Sequence, residues 1–213
     1  SDSGSDSDSD SDGGGSGCTP APSYQLKVLA IHSRSLGNVE DPDDGPRVRK
    51  KRLAQAESIA NISQALQNAD PGVRLVVLGD FNAFEFSDGL ADVTGHMKGD
   101  FDPDSVVCQT NTCIDLVNPD LVDQVLGVPA DDRYSFIFGG NAQVLDHILT
   151  SQGLAGEVNG VEFGRGNADA PNVLVGDPSA GALRSSDHDG MVLYLSTDCP
   201  RELKIGVVDS LSA

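Results

Sequence analysis

A layered α/β domain is the architecture this sequence predicts. Three observations predict it: short apolar runs of strand length alternate with one long stretch of helical periodicity, each run ends in a polar cluster, and turns rich in Gly, Pro and Asp separate them.

The elements follow in chain order. Residues 1–17, SDSGSDSDSDSDGGGSG, carry nothing that could bury a core, so residues 1–23 are expected to be a disordered, self-repelling acidic linker. Its Asp spacing lacks the Gly and closing Glu of a calcium hand loop. Order is expected from Tyr24, with Leu26, Val28 and Ala30 alternating along a short strand that ends at His32. Residues 35–46 are turn-rich, and Pro46 suits the first position of a helix. That helix runs to about Asn68, with Leu53, Ala56, Ile59, Ala60, Ser63 and Leu66 on one stripe, and Asp70-Pro71-Gly72 stops it. Val73 to Leu78 is almost continuously apolar, which predicts a strand covered on both faces.

Beyond it, short helices are predicted around Leu90 and from Pro119 to Leu126. Tyr134 to Phe138 and Val144 to Leu149 read as a hairpin pair joined across Gly139-Gly140-Asn141. Gly164 to Ser186 is a long loop, and Met191 to Leu195 a further buried strand. The domain is thus expected over 24–198, and 199–213 form a tail in which Leu203 to Val208 could add a strand.

Composition narrows the function classes. No run reaches the roughly 18 to 20 apolar residues that cross a bilayer, so no membrane partner is expected. The chain opens without Met, basic n-region or apolar h-region, which points to a processing or fragment boundary. Net charge is −19, and without the five aspartates of the opening run 28 acidic residues still face 14 basic ones. Such a chain repels nucleic acid at long range, which argues against a tight non-specific DNA binder. It leaves room for an enzyme that meets phosphate through metal ions and a local basic patch. Arg47, Arg49, Lys50, Lys51 and Arg52 supply five of the 14 cations, and their place in the first helical turns opposes the helix dipole. Their two readings are a solvated face and a phosphate contact through Arg52.

Four cysteines allow three pairings. The layout favours Cys108–Cys113 within a polar loop and Cys18–Cys199 between the ends of the domain, in an oxidising compartment. No CxxC or HxxxH spacing supports zinc.

Four clusters carry chemistry: Ile31-His32-Ser33, Gly79-Asp80-Phe81-Asn82-Ala83, Leu145-Asp146-His147-Ile148 and Ser186-Asp187-His188-Asp189. Singly each is a turn or a loop. Asp146, inside an apolar strand, is the exception, because a buried carboxylate needs a partner and a histidine is the obvious one.

In this order the clusters resemble the second half of the endonuclease/exonuclease/phosphatase (DNase I-like) superfamily. The resemblance is closest to extracellular bacterial nucleases, through Tyr134-Ser135-Phe136-Ile137-Phe138 with Leu145-Asp146-His147, then Asn167-Ala168-Asp169-Ala170-Pro171, then Arg184 to Asp189. It spans residues 25–196 and implies the C-terminal half of a four-layer α/β/β/α sandwich. It also implies roles. His188 handles protons at the scissile phosphate and Asp146 orients its ring. Asp187 binds metal, and Asp80 positions or deprotonates the attacking water and shares the metal. Asn82 donates to the phosphate, His32 contacts phosphate or assists the leaving group, and Arg184 is a further phosphate contact. The implied cofactor is Mg²⁺ or Mn²⁺, with Ca²⁺ as the alternative. The implied substrate is DNA, with RNA as a second polymer, and the implied location is extracellular.

The superfamily's first half, with its Gln-Glu strand end, does not precede Tyr24 in this sequence, and no glutamate here sits in a comparable strand-end context. An upstream half, separated by the Ser/Asp tract, is therefore expected, and the fragment alone should be weak or inactive. Two rival readings remain open. One is a non-catalytic remnant that binds a partner; the other is a sphingomyelinase-like or phosphomonoesterase member of the same fold.

Overall fold

The computed structural model describes residues 24–196. The acidic linker, the Cys18–Cys199 pairing and the strand expected over 203–208 lie outside the described residues. In chain order the elements are β1 (Lys27–His32), α1 (Gly45–Ala69), β2 (Leu75–Asp80), α2 (Val93–Lys98), α3 (Val106–Thr110), β3 (Val122–Asp123), β4 (Phe136–Phe138), β5 (Asn141–Gln143), β6 (Asp146–Thr150), β7 (Val158–Gly164) and β8 (Gly190–Leu195).

A four-stranded sheet in the order β1-β2-β6-β3 is the centre of the domain. β1 and β2 are parallel because α1 returns the chain between them; β6 adds antiparallel to β2. Along β2 the faces alternate. Leu75 and Val77 pack under α1 with Ala56, Ala60, Met97 and Leu149. Val76 points the other way, into a second cluster with Ile148, Leu154 and Val161. The continuous apolar run over 73–78 is therefore explained by cover on both faces. Each fully buried aliphatic side chain there contributes roughly 1.5–3 kcal/mol. Among the described residues the layers are helix, sheet and sheet, since the β7–β8 pair lies over the second cluster through Met191, Leu193 and Leu195.

α1 begins with Pro46 in its first turn, where the missing N–H is no loss. It closes at Asp70, whose backbone N–H reaches the Leu66 carbonyl. Its core face holds Leu53, Ala56, Ala60 and Ser63 as predicted, and adds Val48, Arg52 and Gln67.

β1 ends at His32 as expected, and pairing with β2 sets its faces: Leu29 and Ile31 pack on the core while Val28 is exposed. Several expectations are corrected. The helix expected around Leu90 starts at Val93, capped by the Asp92 carboxylate on the Gly95 N–H. Pro119 to Leu126 is not an α-helix: Val122–Asp123 pairs with β6, and only a 3-10 turn follows over Gln124–Gly127. The hairpin closes between β4 and β5 across Gly139-Gly140 alone. Residues from Asp146 onward leave it to join the central sheet, where their apolar side chains are buried. β8 alternates exposed and half-buried residues rather than being buried throughout. Its partner β7 was not predicted, since V-N-G-V-E-F-G mixes glycines and polar residues and has little strand signature.

Cys108, in the middle of α3, and Cys113, three residues beyond its end, form the expected disulfide. Against it lies His96, 3% exposed and stacked on Phe101 at 4.3 Å. Burial pushes the His96 pKa down to about 4, so the folded protein holds this ring neutral. Between the ordinary value of 6.5 and about 4 the unfolded chain binds a proton that the native state refuses. Stability is therefore expected to fall on acidification through that window, by on the order of 3 kcal/mol in full. Urea unfolding at pH 7 and pH 4.5 should show a smaller difference in a His96→Gln protein than in the parent.

Candidate active site

Strand register assembles the site. His32 is the partner of Asp80 across the β1–β2 pair, and Asp80 is the partner of Asp146 across β2–β6. Three neighbouring strands thus present His32, Asp80 and Asp146 in one row at the same edge of the sheet. Gly79 is what lets β2 carry this row: its φ is 134°, and a Cβ there would lie 2.1 Å from the Ile31 carbonyl oxygen.

His188 arrives from a different part of the chain. Its Nδ1–H donates to Asp146 Oδ2 at 2.6 Å, with the two side chains 20% and 14% exposed. The Asp146 hydrogen bond raises the His188 pKa, outweighing the opposite effect of burial, and the charges of Asp146, Asp80 and Asp187 add to it. The bond also fixes the tautomer, leaving Nε2 as the nitrogen available to a ligand. Phe136 covers one side of the imidazole at a centroid distance of 4.7 Å.

Burial raises the Asp80 pKa, against the lowering effect of the Asn82 backbone N–H. Asn82 itself sits at φ 49°. Its N–H donates to Asp80 Oδ1 at 2.7 Å, and its amide donates to Asp80 Oδ2 at 2.9 Å and to the Ser33 carbonyl at 3.1 Å. Both amide hydrogens are engaged, so in this conformation Asn82 steadies Asp80 rather than offering a free donor. His32 Nε2 lies 3.3 Å from Asp80 Oδ2, with its side chain 77% exposed.

Asp80, Asp146 and His188 bring one ligand atom each within 4.8 Å of one another. Asp187 is exposed and lines the same cleft, outside that tight group. The cleft measures about 1130 Å³. Two or three carboxylates beside open solvent are a donor set suited to a hard divalent cation that keeps several waters. The oxygen-rich donor set suits Mg²⁺ or Mn²⁺, with Asp80 facing the cleft as one residue that could hold the ion.

Both arginines expected at phosphate bond to backbone carbonyls in this structure. Arg52 is fully buried, because position 52 falls on the core side of α1 beside Leu53 and Ala56. Its Nη1 donates to the Arg34 carbonyl at 2.6 Å. Burial lowers its pKa, countered by the charges of Asp88 and Asp80. Arg184 is committed to its own loop: Nη1 donates to the Asn167 and Ala168 carbonyls and Nη2 to Asn172 Oδ1. Lys50 and Lys51 are exposed, as in a solvated face.

Sequence reasoning missed the groups that hold the site in place. Ser135 Oγ accepts from the Leu145 and Asp146 N–H groups, both at 3.1 Å. Asp189, 2% exposed, accepts from the Asn167 and Ala168 N–H groups and from Arg165, which fastens the turn that carries His188. His147 faces away from the cleft, 0% exposed, between Asp123 Oδ2 and the Ala83 carbonyl, each at 2.9 Å. Both of its ring nitrogens face acceptors, an arrangement that favours the imidazolium. Burial opposes that charge, but the Asp123 hydrogen bond and charge leave its pKa raised. The signal for this pair was weak: His147 reads simply as the neighbour of Asp146, and Asp123 lay in a stretch expected to be helical.

The His188–Asp146 pair makes a measurable prediction. Because His188 has a raised pKa in the folded state, the pair's stabilisation is full below about 6.5 and is lost as pH rises through the raised value. An Asp146→Asn change removes the largest raising contribution. Imidazole NMR titration of metal-free protein should then show the His188 pKa move downward; an unchanged value would refute the pairing.

No protein-family profile matches this chain, and no curated protein matches it. Among solved structures it is similar to the 3′ phosphatase NExo from Neisseria, bound to product DNA hairpin. Identity is 19% and the TM-score 0.45, over 81% of this chain and 62% of the other. The chain therefore spans under two thirds of that protein's length, and the functional reading stands on the site's own geometry.

Proposed function

We propose that this chain carries the phosphodiester-hydrolysing site of a metal-dependent nuclease of the DNase I-like superfamily, acting on DNA or RNA outside the cell. The observation that carries the reading is the His32–Asp80–Asp146 row with His188 bonded to Asp146 at 2.6 Å. A lone acidic cluster would not need an oriented imidazole; proton transfer does.

In the proposed reaction Asp80 accepts a proton from water as its oxygen attacks phosphorus. Its raised pKa makes it a better acceptor than an ordinary carboxylate. The bond from phosphorus to the leaving oxygen breaks, and that oxygen takes the proton held at His188 Nε2. Asp146 stabilises the imidazolium beforehand and keeps Nδ1 protonated throughout. A bound Mg²⁺ would supply Lewis-acid stabilisation of charge on the phosphate. The exposed His32 is available to contact phosphate. The outer face of β7–β8, with Val192 and Tyr194 exposed, supports a further covering layer supplied from beyond these residues, as a four-layer sandwich requires. The Cys108–Cys113 disulfide supports an oxidising, extracellular setting.

The test is hydrolysis of plasmid and oligonucleotide substrates with Mg²⁺, by the parent and a His188→Ala protein. Equal cleavage by the two would overturn the proposal.

A further inference from the structure

The cleft combines two features that a duplex-tracking surface would not. Its described lining contains five carboxylates, among them Glu40 and Asp88 beside the site aspartates, and no Lys or Arg. Replacing counterions along a phosphate backbone relies on lysines and arginines, and the described lining of this cleft has neither. What it does offer is aromatic surface. Phe86 is 61% exposed and Phe138 68% exposed, and both line the cleft together with Asp80, Asp146 and His188. Each is backed by a second ring: Phe84 and Phe86 stack at 5.2 Å and 13°, and Phe136 and Phe138 at 6.4 Å and 16°. Large exposed apolar side chains lining one cleft mark a binding surface rather than scattered surface residues.

We propose that Phe86 and Phe138 form a stacking platform for unpaired nucleobases, so that the site takes single strands or frayed ends in preference to intact duplex. The inference rests on the nuclease reading above and names the substrate class for the same site. Every base has a π-face, and stacking on an aromatic ring needs no cation, which matches a cleft of this charge. A paired base in a duplex has no free face to give. Phe136 links the platform to the chemistry, since its ring touches both Phe138 and His188. A base seated on Phe138 therefore lies one ring away from the imidazole. The volume of about 1130 Å³ leaves room for a nucleotide and part of its neighbour.

The test uses a single-stranded oligonucleotide carrying 2-aminopurine, whose fluorescence is quenched by stacking, in EDTA so that nothing turns over. Quenching on binding is expected, with Kd raised about 10- to 100-fold by Phe86→Ala and Phe138→Ala together and largely restored by Tyr at both positions. Affinity should change little with salt, with a log–log slope of about one or less, and blunt duplex of the same sequence should bind at least about tenfold more weakly. Both side chains are exposed, so their truncation should leave unfolding curves unchanged. Quenching without any Mg²⁺-dependent hydrolysis would uphold the platform and sink the nuclease reading. Hydrolysis lost in His188→Ala but indifferent to the two phenylalanines, with duplex and single strand cut alike, would do the reverse. Absence of quenching, with a change of association state on truncation, would identify the phenylalanines as a protein contact and overturn the inference.

Discussion

Replacing His188 with alanine is expected to lower Mg²⁺-dependent phosphodiester hydrolysis by roughly 10²- to 10⁴-fold, the range that a positioned acid–base group supplies. The side chain is partly exposed and its ring packs on Phe136, so its removal opens the cleft without emptying a core. Circular dichroism and the unfolding midpoint should stay close to those of the parent, separating lost chemistry from lost fold. Because Asp146 acts through the same imidazole, His188→Ala combined with Asp146→Asn should cost little more than His188→Ala alone. EDTA should bring the parent to background, and added Mg²⁺ should restore it, if the carboxylates hold the cation. A His188→Ala protein that retains rates within about twofold of the parent would remove the central proton carrier from the mechanism.

Removing the buried partner of His147 should have the largest effect on stability. The Asp123 side chain is 1% exposed and that of His147 0%, so Asp123→Ala leaves an imidazolium buried with no counter-charge. Breaking a buried pair in this way costs about 3–5 kcal/mol. His147 can shed its proton, which places the loss near about 3 kcal/mol at neutral pH and makes it larger in acid. The sign follows from the raised His147 pKa: stabilisation by the pair is full below about 6.5 and fades as pH rises through the raised value. Thermal unfolding should shift downward by roughly 6–12 °C. Asp123→Asn, which retains an acceptor, should lose less. Since His147 Nε2 holds the Ala83 carbonyl, the same change loosens the turn that carries Asn82, and activity should fall with stability. An Asp123→Ala protein as stable as the parent would mean that the pair carries no net energy.

The two changes sit on opposite sides of one strand. β6 alternates, so Asp146 points to the cleft and His147 into the interior, and one dipeptide serves chemistry and anchoring at once. Read linearly, Leu145-Asp146-His147 shows two polar groups in an apolar run. Only the partners distinguish them: His188, 42 residues later, for the first, and Asp123, 24 residues earlier, for the second. The same limit explains Arg52. As one cation in a run of five it suggests a charged surface, yet a 3.6-residue period turns it inward while Lys50 and Lys51 face water. Phe84 and Phe86 carry no sequence signal, because an aromatic residue in a short polar stretch has no period to report which side it faces.

By itself the sequence determined the local elements whose signal is periodic or terminal: α1 from its stripe and Pro46, β2 from its apolar run, β1 from its alternation, and the polar clusters at their ends. Those signals are written in neighbours a few residues apart, where propensity and burial act directly. Tertiary structure alone decided which strands pair, where β6 and β8 lie, and which of the polar residues meet in one cleft. These depend on register between distant segments, and a shift of one residue would have turned Asp146 inward and His147 out.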